Sequence, residues 1–322
     1  MRCKICGNQR DNKIFKIKEM MFGLGDSFDY LECSKCGCLQ IVDIPEDMEK
    51  YYPSNYYSLQ KNVGEHGRRR TIKEVLGDRK IDYAIFKDSF IGKILYNLYP
   101  LNDPFLQALE IAELNRDSNV LDVGCGIGNW LYYLNNLGFK NLLGIDPYAR
   151  EVKNDKFTIF RKDIHEMPDS PKFDLILSSQ SFEHMPHQLE ALTKISELLS
   201  ENGSCILSTP IKSKYIWEHY GVNWVQIDAP RHFFIHTLKS FEFLAKKAGL
   251  YIKETIFDSN EFQFWASEQY KAGIFLEAEN SYKINPEKSI FNENQIEEFK
   301  NKAAVLNKNK LGDQAIFILN KE

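Results

Sequence analysis

The stretch VLDVGCGIGNW, residues 120 to 130, constrains this chain more than any other. Four residues of strand character, Val120, Leu121, Asp122 and Val123, run into Gly124, Gly126 and Gly128, after which Trp130 to Leu137 reads as a helix. Glycines permit positive φ and close approach of a ligand to the backbone, and the first N–H groups of the following helix favour polar or anionic groups. Taken alone, the cluster fits a tight structural turn equally well. The chain downstream decides between the two.

From Asn119 onward strand and helix alternate. The pattern predicts strands over 119–123, 141–145, 157–161, 173–178, 204–209 and 250–257, with helices over 128–138, 187–199 and 237–248. Gln314 to Leu319 reads as a last strand. This alternation points to an α/β fold with a doubly wound parallel sheet. Asp146 closes the second strand, where such a sheet puts a ribose-binding carboxylate, although Asp-Pro is also a common turn. Asp163, after the third strand, is placed to accept from an adenine amino group, with Ile164 and Met167 beside the ring. Ser178 to His184 lines the carboxyl edge, where ligands bind in open α/β sheets.

The N-terminus carries a different signature. Cys3 and Cys6 precede Gly7, and Cys33 and Cys36 precede Gly37. Two Cys-x-x-Cys-Gly turns can aim four thiolates at one tetrahedral Zn²⁺, and alternation over Ile14 to Lys18 and Phe28 to Glu32 predicts a hairpin between them. A closed four-cysteine set has no open position for catalysis, so a zinc-ribbon-like module with a structural role is expected, with Cys38 as a packed neighbour. Reduced thiols and the absence of an apolar run of the ~18 to 20 residues needed to span a bilayer suggest a cytoplasmic protein with no membrane partner. The formal charge of −4 gives no general attraction to nucleic acid, and Arg68, Arg69 and Arg70 read as a solvated face.

The expected organisation is a module over 1–45, a segment with Tyr51, Tyr52, Tyr56 and Tyr57 leading into a helical connector over 46–104, and the α/β domain over 105–322. The tyrosines suit either a lid over a ligand or interdomain packing. Insertions are expected at 211–236 and 258–311.

VLDVGCGIG, GIDP, the Asp163 segment, FDLILSSQSFEHM and LLSENGSCILSTP together resemble the successive motifs of class I S-adenosylmethionine-dependent methyltransferases. The resemblance covers roughly residues 105 to 257. It implies a Rossmann-like seven-stranded sheet of order 3-2-1-4-5-7-6, its antiparallel seventh strand supplied by QAIFIL. It further implies that Gly124, Gly126 and Gly128, with Asp122 and Cys125, hold the methionine end of S-adenosylmethionine; that Asp146 and Pro147 meet the ribose; that Asp163 and Ile164 meet the adenine; and that Ser179 lines the same edge. The spacing G-x-G-x-G departs from the dinucleotide pattern G-x-G-x-x-G, and Asp122 suits a sulfonium better than a pyrophosphate. One departure from the family is that the segment between Asp146 and Phe157 is too short for a normal helix. With the four-cysteine module, the chain is further similar to a bacterial group of deoxysugar C-methyltransferases and surface-polysaccharide relatives, though shorter than those with their added C-terminal domain.

Such a reaction needs an in-line acceptor and a proton acceptor. Glu183 and His184, His219, and the run Asp228 to His232 are the candidates, with His232 leading because it follows an aromatic insert of Tyr215, Trp217, Tyr220 and Trp224. Arg231 would pair an acidic group of the acceptor or else hold Asp228. Phe262, Phe264, Trp265 and Tyr270 would cover the acceptor or form a homodimer contact. The expected partner is a small-molecule acceptor such as a nucleotide-linked sugar. RNA or protein substrates docked on the zinc module, and a donor-binding adaptor without turnover, are the alternatives.

Overall fold

The computed structural model describes residues 1–53 and 71–322; Tyr56, Tyr57 and Arg68 to Arg70 lie outside the described residues. The hairpin between the cysteine turns forms as β1 (Lys13–Lys18) and β2 (Ser27–Glu32), antiparallel in the register Lys13 opposite Glu32, and β3 (Leu39–Ile41) extends it. Alternation puts Ile17 and Tyr30 into the core from this small sheet.

The connector is two helices rather than one run. α1 (Ile72–Phe86) stops at Lys87, whose left-handed φ of 58° breaks the helix, and Ser89 caps α2 (Phe90–Leu98) by accepting from Gly92 N. The helices cross so closely that a Cβ on Gly92 would fall 1.9 Å from the Arg79 carbonyl oxygen. α3 (Pro104–Ile111) starts with Asp103 accepting from Leu106 N and Pro104 in the first turn.

The main unit continues through β4 (Asn119–Val123), α4 (Asn129–Leu137), β5 (Asn141–Ile145), β6 (Val152–Lys153), β7 (Thr158–Phe160), β8 (Phe173–Ser179), α5 (Gln188–Leu198) and β9 (Leu199–Pro210). It then runs through α6 (Lys214–Tyr220), β10 (Phe234–Ile235), α7 (Leu238–Lys247), β11 (Leu250–Phe257), α8 (Phe262–Lys271), α9 (Glu293–Lys308) and β12 (Gln314–Lys321). The large sheet has the order β11-β12-β9-β8-β4-β5-β7-β6. β7, β5, β4, β8 and β9 are parallel, while β12 is antiparallel between β9 and β11.

The sheet therefore holds eight strands among the described residues, not the expected seven. The added strand is β6, two residues antiparallel to β7, and it occupies the segment after Asp146 that is too short for a helix. Neighbouring residues of one strand feed opposite cores, as in any sheet covered on both faces. Val120 packs with α3 and α4 (Leu109, Leu131), and Leu121 with α5 and α7 (Leu192, Phe241).

The second core runs without interruption into the N-terminal sheet through Tyr30, Leu39 and Ile41. Indeed β10, from the 211–236 insertion, pairs antiparallel with β3, giving the small sheet the order β1-β2-β3-β10. The cysteine module and the insertion thus share one sheet. No helix among the described residues is long and apolar enough to cross a membrane.

Candidate functional site

The glycine loop is shaped by its neighbours as much as by its own composition. Gly124, Gly126 and Gly128 have φ of 73°, 52° and 83°. A Cβ on Gly124 would lie 2.5 Å from Ser181 Cβ, and one on Gly128 2.9 Å from Ile159 Cδ1. Gly124 N and Cys125 N both donate to Ile145 O, at 2.8 and 3.1 Å, while the Cys125 side chain packs beneath the loop against Gly144. Asp146 braces the loop: Oδ2 accepts from Gly126 N at 3.0 Å and Oδ1 from Tyr148 N at 2.7 Å. Pro147 O accepts from Arg161 Nε at 3.1 Å.

Asp122 lies buried at the root of this loop, and its Oδ2 has no hydrogen-bond partner among the described residues. Burial, with the nearby charge of Asp146, pushes its carboxyl up to about 7. An orphaned buried carboxylate oxygen beside a turn of positive-φ glycines fits the positively charged donor expected there. Across the loop, Ser181 Oγ donates to Val123 O at 2.9 Å. Ser179 sits opposite Ser208 in the sheet, and Gln180 takes a left-handed φ of 50° with its N–H on Ser208 O. Asp163 caps the turn Ile164–Glu166, accepting from His165 N at 3.0 Å, and stays half exposed above the buried Ile164.

The acceptor-side candidates gather at the same carboxyl edge. Glu183 and His184 form a turn after β8, and Phe233 N donates to Glu183 O at 2.8 Å, which draws the His232 segment onto that turn. The rings of His184 and His232 meet edge to face at 4.8 Å. His184 Nδ1 bonds Arg231 O at 2.8 Å, with the Tyr52 hydroxyl at 3.3 Å, and His232 Nδ1 bonds Gln226 O at 2.8 Å. His232 Nε2 lies 3.9 Å from both Glu183 Oε1 and Asp228 Oδ2. Burial and the neighbouring His232 push His184 down to about 3. Burial raises the Asp228 carboxyl, but the adjoining Arg231 guanidinium outweighs it and holds the group below the usual range. His219 is elsewhere, stacked on Tyr215 near Glu268.

Arg231 is wholly buried and committed within the chain. Its guanidinium donates to both Asp228 carboxylate oxygens at 2.9 and 2.6 Å, to Glu19 Oε1 at 3.0 Å and to Tyr51 O at 3.2 Å. It holds Asp228, rather than an acidic group of an acceptor. Glu19 had no signal beyond being a carboxylate among the apolar residues Met20, Met21 and Phe22; its second task is to accept from Met21 N, Phe22 N and Leu24 N. Phe264, Trp265 and Tyr270 are likewise buried inside the chain, Phe264 stacked on Phe299 and Trp265 tilted against Tyr282.

At the N-terminus, Cys3, Cys6, Cys33 and Cys36 each bring a sulfur within 4.8 Å of the others. Cys3 to Cys36 is 3.7 Å and Cys6 to Cys33 is 3.5 Å. A tetrahedral zinc with ~2.3 Å bonds sets sulfur edges of ~3.8 Å, so the donor set and its spacing fit. Gly7 and Gly37, at φ 73° and 76°, donate back to Cys3 O and Cys33 O, and Cys36 N reaches Cys33 Sγ at 3.5 Å. Cys38 is outside this set, its thiol donating to Leu39 O at 3.6 Å. The second turn is docked on α7, where Thr237 Oγ1 donates to Cys36 O at 2.6 Å.

Residues 96–255, from within α2 to within β11, match the family described as a methyltransferase domain. A tRNA U34 carboxymethyltransferase of Actinobacillus succinogenes is 30% identical over 105 residues, 29% of this chain and 33% of that protein. A sterol 4-C-methyltransferase of Caenorhabditis elegans is 29% identical over 183 residues, 52% of this chain and 51% of that one. The chain thus spans one third to about half the length of these curated relatives. Among solved structures, a 1,6-didemethyltoxoflavin-N1-methyltransferase of Burkholderia thailandensis superposes with a TM-score of 0.40 at 14% identity, covering 80% of this chain and 93% of the other.

Proposed function

We propose that this chain transfers a methyl group from S-adenosylmethionine to a small-molecule acceptor, such as a nucleotide-linked sugar or a surface-polysaccharide precursor, in the cytoplasm. The observation that carries the reading is the juxtaposition at one carboxyl edge of a glycine loop rooted on the orphaned Asp122 carboxylate and a histidine–carboxylate cluster built from Glu183, His184, Asp228 and His232. The sulfonium, when bound, supplies a methyl group already activated for displacement. Gly124, Gly126 and Gly128 hold the methionine end, with Asp122 opposite the positive charge. Asp146 and Pro147 flank the ribose, Asp163 and Ile164 the adenine, and Cys125 and Ser179 complete the wall.

His232 is the proton acceptor in this reading. Its Nδ1–H is fixed on the Gln226 carbonyl, which leaves Nε2 as the basic atom, and the Glu183 and Asp228 carboxylates facing it stabilise the imidazolium that forms. His184, pushed down to about 3, is too weak a base and positions its neighbours instead. The four-cysteine site would hold a structural Zn²⁺. An RNA acceptor is the second reading, on the strength of the tRNA-modifying relative, and the net charge of −4 argues against it.

The test is release of S-adenosylhomocysteine from donor plus a panel of sugar nucleotides and, separately, tRNA. His232→Ala is expected to lower turnover by ~10²-fold or more while donor affinity stays nearly unchanged. Wild-type turnover in that variant would remove His232 from the mechanism.

A further inference from the structure

Glu183, His184 and His232 each bring one ligand atom within 4.8 Å of the others. A backbone carbonyl only accepts, so an imidazole nitrogen in hydrogen-bond contact with one must carry a proton. Nδ1 of His184 therefore donates to Arg231 O and Nδ1 of His232 to Gln226 O, each at 2.8 Å, which leaves Nε2 as the ligand atom each ring can offer. Glu183 Oε2 accepts from Thr209 Oγ1 at 3.1 Å, but the buried Oε1 has no partner among the described residues. At 3.9 Å, His232 Nε2 and Glu183 Oε1 are too far apart to share a hydrogen bond.

The cluster thus gathers three ligand atoms, two of them on buried residues, and Asp228 adds a carboxylate oxygen at 3.9 Å from His232 Nε2. The adjoining cation, Arg231, is already committed to Asp228, Glu19 and Tyr51 O. Two imidazoles whose Nδ1–H groups are held by carbonyls, with a carboxylate whose second oxygen is fixed by a hydroxyl, have the outer contacts that orient ligands around a metal. The donor set of nitrogen and oxygen suits zinc and its neighbours in the first transition row. Bonds of ~2.0 to 2.1 Å at a tetrahedral ion put such ligand atoms ~3.4 Å apart, so His232 and Glu183 need close by only about half an ångström.

We propose that Glu183, His184 and His232 form a second metal site, for a divalent transition-metal ion, and that an ion there blocks proton abstraction by occupying the His232 Nε2 lone pair. The blocking rests on the reading of His232 as the base; the binding does not. With three protein ligands against the four thiolates of the N-terminal site, this second site is the weaker of the two.

The test uses the full chain with zinc retained in its cysteine site, dialysed against Co²⁺ and analysed for both metals. One zinc and one cobalt per chain are expected, the cobalt spectrum lacking thiolate charge-transfer absorption. His184→Ala and Glu183→Gln should each weaken cobalt binding by at least the ~10- to 100-fold that loss of an outer contact costs, while zinc content, which reports an intact fold, stays at one. Cobalt binding that is absent, that displaces the zinc, or that survives both substitutions overturns the site. Methyl transfer should fall as cobalt fills the site and return on mild chelation; unchanged turnover at full occupancy overturns the blocking. Loss of turnover in His232→Ala without any cobalt binding by the wild type sinks the metal site and leaves the base reading standing. Cobalt binding with an active His232→Ala does the reverse.

Discussion

The two ends of the carboxyl edge are built in opposite ways. The glycine-loop end comes from consecutive elements: β4, its turn, the ends of β5 and β7, and the serines after β8. The histidine end is assembled from segments far apart in the chain, and its supports come from the cysteine module: Tyr30 Oη donates to His232 O at 2.9 Å, Glu19 takes Arg231, and β3 pairs with β10. The difference teaches that the N-terminal module is a wall of the histidine end, reached through the insertion, and makes no part of the glycine loop. A metal in the cysteine site would then act on one end and not the other.

Breaking that site should separate the ends most sharply. The binding energy of a structural zinc is folding energy, ~10 to 16 kcal/mol in small zinc-finger peptides, so Cys3→Ser with Cys36→Ser should abolish methyl transfer. Donor binding, measured by equilibrium dialysis, should persist. Next in size is Arg231→Met, which strands the buried carboxylates of Glu19 and Asp228 and should cost about 3 to 5 kcal/mol by chemical denaturation. Arg231→Lys should recover part of this, since an ammonium restores the charge but not the fork of donors.

Gly124→Ala attacks the other end. Its Cβ would meet Ser181 in a backbone region that alanine avoids, at a cost of about 1 to 3 kcal/mol, and donor affinity should fall with little change at the histidines. The smallest effect is a pH slope. Folding raises the Asp122 carboxyl to about 7, so the protonated native form gains stability below the unfolded value near 4, and that contribution is lost as pH rises through 7. Donor affinity should run the other way, strengthening as pH rises through 7 and the carboxylate becomes charged opposite the sulfonium. Asp122→Asn should flatten both curves.

The same contrast explains what could be read from the chain. Asn141–Ile145 and Leu250–Phe257 match their expected bounds because turn residues and apolar runs mark both ends locally. The positive φ at Gly124, Gly126 and Gly128 follows from glycine itself. β6 and β10 are two residues each, too short to carry any period, and β10 exists only because β3 is beside it. Arg231 and Glu19 stand 212 positions apart, and Tyr30 and His232 stand 202 apart, so no local pattern could have joined them. His184 and His232 were legible as candidates, but not the carbonyls that fix their tautomers.

Hydrogen exchange on the zinc-loaded and chelator-treated chain tests the division between the ends without needing an acceptor. Removal of the metal should speed amide exchange across residues 226–236 and leave residues 119–128 protected. Equal loss of protection in both stretches, or none at 226–236, would contradict the account.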